Sequence, residues 1–368
     1  FKQKTAYEIG VRLVGSEMCI RDRCGFGVVA QSFAKLLESR SSDLYSRYGL
    51  KPRIVGVFDS KGCVYNNSGL DLKKLINAKK RTDSVRGYDN SIPQISGLNM
   101  IKNLDADVLI ETTASNYKDA EPGMSHIIMA MKNKMHVISV NKGPLALAFP
   151  SLMELATFNQ VLLRFSGTVG GGTPILDYAK NSLRGERIVS FQGILNGTTN
   201  YILTNMGNGM SFNEALTDAQ NKGYVEADES LDLDGFDAAA KLVILANWIM
   251  GMKVTMPDII RKGIRGVSTD DIKNAEQNSS SIKLIASCDK EVKVSPIEIK
   301  KNNPLCVDGT LNAISFTSEH SGTQTIIGRG AGGIETASSI LRDLIAVSYT
   351  HLRAHETDSY LVCRLLLE

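Results

Sequence analysis

Carboxylates crowd the residues that precede one lysine in the second half of this chain. Residues 218–237 hold seven acidic side chains, and Lys241 follows Asp237 by one helical turn, which places both on one helix face. Carboxylates can bind an ammonium group, and a lysine can donate a proton to an oxygen. The segment therefore indicates amino-acid chemistry. Its acidic residues are Asp218, Glu226, Asp228, Glu229, Asp232, Asp234 and Asp237.

Two other interpretations of this acidic segment have to be weighed. The run Ser-Leu-Asp-Leu-Asp-Gly at 230–235 resembles the first half of an EF-hand calcium loop. Such a loop ends in a bidentate glutamate at its twelfth position, which here is Lys241, and its charge argues against calcium. The segment is also typical of a solvated loop whose carboxylates stabilise the start of the next helix.

The composition of the chain limits the kinds of protein that it can be. The chain has 368 residues, of which 43% are hydrophobic and 22% charged, with a net charge of +3; a globular protein of about two domains has such values. The charge balance gives no reason to expect nucleic acid or a membrane as partner, and no apolar run reaches the roughly 18 residues of a membrane span. Six cysteines without zinc or disulfide spacing favour the reducing cytoplasm.

Residues 24–30 predict a nucleotide-binding turn. They read Cys-Gly-Phe-Gly-Val-Val-Ala and carry G-x-G-x-x-A before a helical pattern; the glycines let the backbone approach a pyrophosphate at the helix N terminus. The motif is weak alone. It is strengthened by the apolar run 54–58, which ends in Asp59, an acceptor for a ribose hydroxyl. Arg40 and Lys61 lie near enough in sequence to meet a 2′-phosphate, so both NAD and NADP stay open.

Alternating patterns predict an α/β fold with a doubly wound parallel sheet. Strand-like runs at 106–111 and 136–140 flank a helical run at 123–133, and ligands bind such sheets at the carboxyl ends of the strands. After about residue 155 strands and helices mix, which predicts a second, α+β domain. A second glycine turn at 328–333 opens a helix that we expect to return to the first domain.

The two ends of the chain look foreign to this fold. Residues 1–23 and 347–368 resemble translated sequencing-adapter sequence, which belongs outside fold reasoning. We therefore assign 24–155 to the nucleotide-binding domain, 156–320 to the catalytic and dimerisation domain, and 321–346 to the return into the first domain. The authentic first strand would then be partly missing, and foreign residues would stand in for it.

Seven motifs, in order, resemble the homoserine dehydrogenase family. They cover nearly all of 24–346, and the ordered set is far more specific than any one of them. The motifs are GFGVVA at 25–30, NKGPL at 141–145, TVGGGTP at 168–174, GILNGTTNYI at 193–202, GYVEAD at 223–228, DLDGFDAAAK at 232–241, and GAG at 330–332 with TA at 336–337. The chain looks like the short, monofunctional form without an aspartate kinase domain.

The resemblance implies reversible hydride transfer between NAD or NADP and aspartate semialdehyde, which gives homoserine for threonine, methionine and isoleucine biosynthesis. Lys241 matches the family's acid–base lysine, since an ammonium group can stabilise the developing oxyanion and supply its proton. Lys142 matches a second lysine that contacts cofactor and substrate. Glu226 and Asp237 match substrate-binding positions, and Asp232 is a candidate partner for Lys241 or for the substrate ammonium group.

The cofactor site that the resemblance implies joins the glycine turn to later segments. Backbone N–H groups of the turn would bind phosphate, Thr113 would lie beneath the nicotinamide ribose, and Gly332 would close over the cofactor. Buried packing or turn geometry is the alternative role for these residues. The predicted cofactor-binding residues are Gly25, Phe26, Gly27, Val28, Val29, Asp59, Thr113, Lys142, Gly223 and Gly332.

Three expectations concern the second domain. The resemblance implies a monovalent cation, Na⁺, held by backbone carbonyls at Val169, Gly171 and Thr173. Ser166 replaces the glutamate that precedes this turn in the family, which weakens that prediction. The turn at Asn196 is expected to be mainly structural, a helix cap that faces the cleft. The resemblance also implies a homodimer formed through this domain.

Two other functions compete with a small-molecule oxidoreductase. A non-catalytic NAD(P)-sensing protein of the same fold would not need both Lys142 and Lys241. Another dehydrogenase of amino-acid-like substrates would share only the first domain, and the acidic segment ending in Lys241 argues against it. We therefore predict an enzyme that acts on an amino-acid substrate.

Overall fold

The computed structural model describes residues 19–88, 91–92, 97–103, 106–225 and 228–365. Glu226, a predicted substrate ligand, therefore lies outside the described residues. The predicted α/β architecture is confirmed, since one sheet is mainly parallel and a second, separate sheet is mixed. Every helix in the described part of the chain is too short or too polar to cross a lipid bilayer.

The nucleotide-binding turn follows a strand of the first sheet at the carboxyl end of that strand. Its strands are β1 (Cys19–Cys24), β2 (Arg53–Ile54), β3 (Gly56–Asp59), β4 (Gly62–Tyr65), β5 (Ser91–Ile92), β6 (Val108–Glu111), β7 (His136–Ser139) and β8 (Leu163–Arg164). Their order is β5-β4-β3-β1-β6-β7-β8, with β2 also paired to β1. All four residues of β6 are buried, as expected for a strand covered on both faces.

Strand β1 lies at the centre of this sheet. It pairs in parallel with β3, where Cys24 lies opposite Phe58, and with β6, where Ile20 lies opposite Val108. All of its residues but the last belong to the segment 1–23 that we interpret as foreign. These residues therefore stand in the position of the first strand, and β1 ends directly before Gly25.

The second sheet forms the body of the second domain. Its strands are β9 (Ile188–Ile194), β10 (Ile260–Arg261), β11 (Ser280–Cys288), β12 (Val292–Lys300), β13 (Leu311–Ser318) and β14 (Gly322–Arg329). Their order is β10-β12-β11-β9-β13-β14. The β13–β14 hairpin keeps the chain in this sheet through Arg329, and β8 belongs to the first sheet because it pairs with β7. The domain limits at 155 and 320 stay predictions.

Helices cover both sheets and fill the space between them. They are α1 (Val28–Ser39), α2 (Ser41–Tyr48), α3 (Leu72–Thr82), α4 (Gly97–Asn103), α5 (Gly123–Lys132), α6 (Lys142–Asn159), α7 (Ile175–Asp177), α8 (Gly197–Gly207), α9 (Phe212–Asn221), α10 (Ser230–Leu233), α11 (Phe236–Met250), α12 (Thr269–Gln277) and α13 (Gly333–Leu365). Residues 238–247 of α11 are all buried, so this helix runs through the core rather than along the surface.

Helix α13 attaches the end of the chain to the second domain through a buried carboxylate. Asp343 accepts hydrogen bonds from the backbone N–H of Ser166 at 2.8 Å and from its hydroxyl at 2.7 Å. Burial raises the pKa of the Asp343 carboxyl to about 6, against the opposing effect of these hydrogen bonds and of Arg164. Ionised Asp343 therefore lowers the stability of the fold at neutral pH.

Acidification from pH 7 to pH 5 should relieve this cost. The folded-state pKa of Asp343 exceeds its ordinary value of 3.8. Protonated Asp343 therefore stabilises the fold fully below pH 3.8, and this stabilisation is lost as the pH rises through about 6. We expect the Tm of Asp343→Asn to depend less on pH than the wild-type Tm, by roughly 2 to 5 °C between pH 5 and 7. Asp270→Asn, at an exposed carboxylate, is the control. Parallel pH curves for the wild type and Asp343→Asn would contradict the assignment.

Candidate active site

The carboxylate of Asp237 lies between the two predicted catalytic lysines. Its Oδ2 is 2.6 Å from Lys241 Nζ, and its Oδ1 is 3.4 Å from Lys142 Nζ. Lys241 follows Asp237 by one turn of α11, whereas Lys142 begins α6 at the carboxyl end of β7. Each domain therefore contributes one ammonium group, and we call these three residues the lysine–aspartate bridge.

Local sequence explains how α11 presents its half of the bridge. Gly235 precedes the helix with φ at 79°, a left-handed conformation that favours glycine. Asp237 then falls in the first helical turn, where the helix dipole favours a negative charge. The apolar residues that follow Lys241 anchor α11 in the core, so the helix start is held rigidly at the cleft.

The bridge is strongly ionic. Burial opposes ionisation of Asp237, but the charges of Lys241 and Lys142 outweigh it and hold the pKa of this carboxyl well below its usual range. The side chains of Asp237 and Lys241 are only 14% and 8% exposed, so water screens their attraction weakly. Asp237 is therefore ionised throughout the pH range in which enzymes are assayed.

Lys241 keeps one donor for a substrate. Its ammonium group donates to the carbonyl oxygen of Leu195 at 2.7 Å and to Asp237 at 2.6 Å. A lysine ammonium has three N–H groups, and these two acceptors are its hydrogen-bond partners among the described residues. The third N–H can donate to an oxygen that enters the cleft, as the predicted proton transfer requires.

Asp232 joins the bridge through Asn196. The Asn196 amide Nδ2 donates to Asp232 Oδ1 at 2.7 Å and to Asp237 Oδ2 at 2.9 Å. The structure thus brings together Asp232, Asp237, Lys142 and Lys241, as the sequence predicted. The close cationic partners of Asp237 are the two lysines, and its contact with the substrate ammonium group stays a prediction.

The glycine turn fits a dinucleotide phosphate. Gly25 has φ at 86°, and a Cβ there would lie 3.1 Å from the carbonyl oxygen of Thr112, so the turn requires glycine. Gly27 precedes α1 and provides no side-chain cap, which leaves the first N–H groups of the helix for an anion. Phe26 is buried in the first-domain core, whereas Val28, in the first turn of α1, is exposed.

The returning segment closes on this turn from the other side. A Cβ at Gly333 would lie 2.7 Å from Val28 Cγ1, and Gly332 next to it has φ at 135°. The predicted proximity of Gly332 to the turn therefore agrees with the fold. Gly223 follows α9 in a left-handed turn, where its N–H donates to the carbonyl of Gln220, and its contact with the cofactor stays a prediction.

Thr113 links the carboxyl ends of β6 and β7, below the expected nicotinamide ribose. Its hydroxyl lies 3.0 Å from Asn141 Nδ2, and its backbone N–H donates to Glu111 Oε1 at 2.8 Å. Glu111 is completely buried and lies 2.9 Å from His126 Nδ1 through its other oxygen. Sequence reasoning did not identify Glu111 or His126 as site residues; a carboxylate that ends an otherwise apolar strand was the available signal.

Asp59 is engaged by donors of the protein itself, and its ribose contact stays a prediction. Its Oδ1 accepts from the Lys61 N–H at 2.9 Å and the Ser84 hydroxyl at 3.2 Å. Its Oδ2 accepts from the Val85 N–H at 3.0 Å and from Lys79 Nζ at 3.1 Å. A carboxylate offers about four acceptor positions, and four donors already occupy them. A ribose hydroxyl would have to displace one of these donors.

The predicted cation turn is satisfied by groups of the protein itself. The carbonyl of Gly171 accepts from the hydroxyl of Ser339, and that of Thr173 accepts from the N–H of Ile175 at 2.8 Å. Val169, the third predicted ligand, is fully buried beside them. The hydroxyl of Ser166, at the family's glutamate position, binds Asp343 instead of supplying a charge to the turn.

Arg342 supplies a positive charge at this turn. Its Nη1 donates to the carbonyl of Gly172 at 3.0 Å, and its Nη2 donates to the Ser339 hydroxyl at 2.8 Å. Asp177 lies 3.7 Å from the same guanidinium, and the carbonyls of Gly171 and Thr173 already accept from donors of the protein. The turn therefore does not fit the predicted Na⁺, and we derive no role for one.

The identity of the salt cation should have no effect on this protein. We expect equal Tm values in NaCl, KCl and choline chloride at one ionic strength, because the carbonyls of Gly171 and Thr173 already accept from donors of the protein. Arg342→Gln should lower the Tm by several degrees in all three salts, while Arg187→Gln, at an exposed arginine, should not. A rise in the wild-type Tm that is specific to Na⁺ would contradict this assignment.

Comparisons with known proteins find relatives along the whole fold. A family model described as homoserine dehydrogenase matches residues 174–345, and one described as glutamate/leucine/phenylalanine/valine dehydrogenase matches 10–133. A homoserine dehydrogenase of Methanocaldococcus jannaschii is 42% identical over 88% of this chain and 96% of its own length. An NAD(+)-dependent homoserine dehydrogenase of Pseudomonas canavaninivorans is 38% identical over 90% of this chain and 97% of its own.

Solved structures agree with these matches. A hyperthermophilic archaeal homoserine dehydrogenase in complex with NADPH aligns with a TM-score of 0.80 at 26% identity, over 91% of this chain and 98% of that one. The homoserine dehydrogenase of Thermoplasma acidophilum aligns with a TM-score of 0.78 at 26% identity, over 91% and 100% of the two chains.

Proposed function

Because the chain belongs to the homoserine dehydrogenase family of NAD(P)-dependent oxidoreductases, we propose that it interconverts L-aspartate 4-semialdehyde and L-homoserine. The lysine–aspartate bridge carries this proposal. It sets two ammonium groups, Lys142 and Lys241, around one carboxylate where the first sheet meets α11. An NAD(P)-sensing protein without catalysis is not favoured, because it has no need of a buried proton donor.

The glycine turn and the segment around Gly332 would hold the cofactor. When bound, the nicotinamide accepts or supplies the hydride. The chain's own task is to manage the proton and the charge at the C4 oxygen. Lys241 donates its third N–H to that oxygen and gives up a proton as the aldehyde becomes an alcohol; in the reverse direction it takes the proton back. Lys142 adds a second positive charge that stabilises the developing oxyanion.

We propose a division of labour among the carboxylates. Asp237 fixes the two lysines, since both of its oxygens are engaged with Nζ groups. The substrate's ammonium group is then assigned to Asp232, which is buried beside the bridge, together with Glu226. Asp237 still attracts the ammonium group through its charge, but its main effect is to hold Lys241 in place for proton transfer.

Removal of Lys241 tests the reaction and its proton donor together. Wild-type protein should reduce NAD⁺ or NADP⁺ in the presence of L-homoserine, and Lys241→Ala should lower kcat about 10²- to 10⁴-fold. The Kd for NADH or NADPH, measured by fluorescence, should change less than about twofold. Lys290→Ala, at an exposed lysine in the β11–β12 turn, is the matched control. Equal losses of cofactor affinity and kcat would mean that Lys241 is a structural residue.

We also propose a homodimer formed by the outer face of the second sheet. The inner face packs Ile314 and Phe316 into the core, whereas Ile297 and Ile327 on the opposite face are 39% and 48% exposed. Ser315 and Thr325 exchange a hydroxyl hydrogen bond of 2.7 Å on that outer face, so its polar groups are partly paired. Exposed isoleucines on one face of a sheet suit burial against a second copy.

Charge on this outer face should produce monomers. We expect light scattering after gel filtration to give twice the mass of one chain for the wild type and the mass of one chain for Ile327→Lys combined with Ile297→Lys. Phe158→Lys is the control, because Phe158 is an even more exposed apolar residue elsewhere on the surface. A monomeric wild type at micromolar concentration would refute the proposal.

A cytoplasmic location is the last proposal. Cys288 and Cys306 are free thiols among the described residues. Free cysteines of this kind are typical of proteins in a reducing compartment.

A further inference from the structure

Asn196 uses every polar position of its side chain. It precedes α8 and is buried at 4% exposure. Its Oδ1 accepts from the N–H of Thr199 at 2.8 Å and from the Thr199 hydroxyl at 3.0 Å. Its Nδ2 donates one hydrogen to Asp232 and the other to Asp237. An amide has two donors and two acceptor positions, and all four are engaged.

Helix capping explains only half of this pattern. The cap on α8 needs an oxygen that accepts from Thr199, and serine or aspartate provides one as well as asparagine does. The Nδ2 group contributes nothing to the cap. Among the side chains that form good caps, asparagine alone also offers two N–H donors, so the amide half of Asn196 requires another explanation.

The two acceptors of Nδ2 are like charges. Asp232 and Asp237 accept from the same nitrogen, so their acceptor oxygens are roughly 5 Å apart, a separation at which ionised carboxylates repel each other. A donor between them offsets that repulsion. It also occupies one acceptor position of Asp237 Oδ2, the oxygen that accepts from Lys241.

The backbone beside Asn196 serves the same lysine. The carbonyl of Leu195 accepts from Lys241 at 2.7 Å and from Asn312 Nδ2 at 3.1 Å. Residues 195 and 196 therefore contact Lys241 directly through a carbonyl and indirectly through Asp237. The end of β9 thereby fixes the position of the proton donor on α11.

We propose that Asn196 is a positioning residue of the active site, whose Nδ2 holds Asp232 and Asp237 side by side so that Asp237 orients Lys241. This role rests on the proposed function, because its value lies in proton transfer at Lys241. The amide sets the distance between the carboxylates, the carboxylate sets the direction of the ammonium group, and the remaining N–H of Lys241 points to the substrate oxygen.

Two variants separate positioning from capping. Asn196→Ser keeps the cap and removes both Nδ2 donors, while Asn196→Asp keeps the cap and the shape but adds a third carboxylate. We expect kcat/KM for homoserine to fall 10- to 100-fold in Asn196→Ser, with the Kd for NADH changed less than about twofold. We expect the acid limb of the kcat/KM profile of Asn196→Asp to move upward by about one pH unit, since three adjacent carboxylates retain a proton more readily.

Ser268→Ala is the matched control for the loss of a cap. Ser268 caps α12 in the same way, because its hydroxyl oxygen accepts from the N–H of Asp271 three residues on, and it lies outside the site. Ser268→Ala should lower the Tm without a change in the pH profile of kcat/KM. A purely capping role predicts wild-type kcat/KM and an unshifted pH profile for both Asn196 variants, and that result would overturn the proposal. If Asn196→Ser unfolds, the profile of Asn196→Asp decides.

A thermodynamic cycle distinguishes this proposal from the proposed function. If wild-type protein failed to oxidise homoserine, the reaction would be wrong, yet the contact between Asn196 and Asp237 would still be measurable. The Tm shifts of Asn196→Ser and Asp237→Asn should then be smaller in combination than their sum, because the second substitution removes an interaction already lost. Additive shifts would show that Asn196 does not hold Asp237, whatever the reaction.

Discussion

A buried carboxylate with two ammonium partners is the constraint on which this site depends. An ionised aspartate removed from water is strongly unfavourable unless cations and donors surround it, and Asp237 is surrounded by Lys241, Lys142 and Asn196. Lys142 belongs to the first domain and Asp237 to the second, so the anion is fully compensated only when the two domains are correctly apposed. Assembly of the active site and contact between the domains are thus one event.

In the nucleotide-binding half, buried carboxylates are likewise surrounded by donors. Glu111, Thr113 and Asn141 tie together the ends of adjacent strands, and the position of Thr113 fixes one wall of the cleft. Asp59 ties β3 to α3 through Lys79 and to the segment that follows α3 through Ser84 and Val85. The carboxylates of Glu111 and Asp59 are hydrogen-bonded, as buried acceptors require. Backbone N–H groups at the start of α1, after the glycine turn, have no side-chain cap and can bind an anion.

Short-range patterns could predict much of this arrangement, and long-range contacts could not. The glycine turn, the strands that follow it and the pairing of Asp237 with Lys241 depend on spacings within one or two turns of chain, which the sequence displays directly. Lys142 reaches Asp237 from a distant part of the chain, and the donors that saturate Asp59 come from residues 61 to 85. The sequence predicts only a cap at Asn196, because its carboxylate partners Asp232 and Asp237 are 36 and 41 residues away in the chain.

Helix α13 has a consequence for how the protein forms. Its residues Ala337, Ile340, Leu344 and Val347 share one hydrophobic cluster with Phe33 and Ala34 of α1. The nucleotide-binding domain is therefore discontinuous, with the second domain inserted into it. During synthesis the second domain can acquire its sheet while the first still lacks a side of its core. The dinucleotide fold is finished only once residues 333–347 have left the ribosome, so the first domain can bind cofactor only after the inserted second domain has been synthesised.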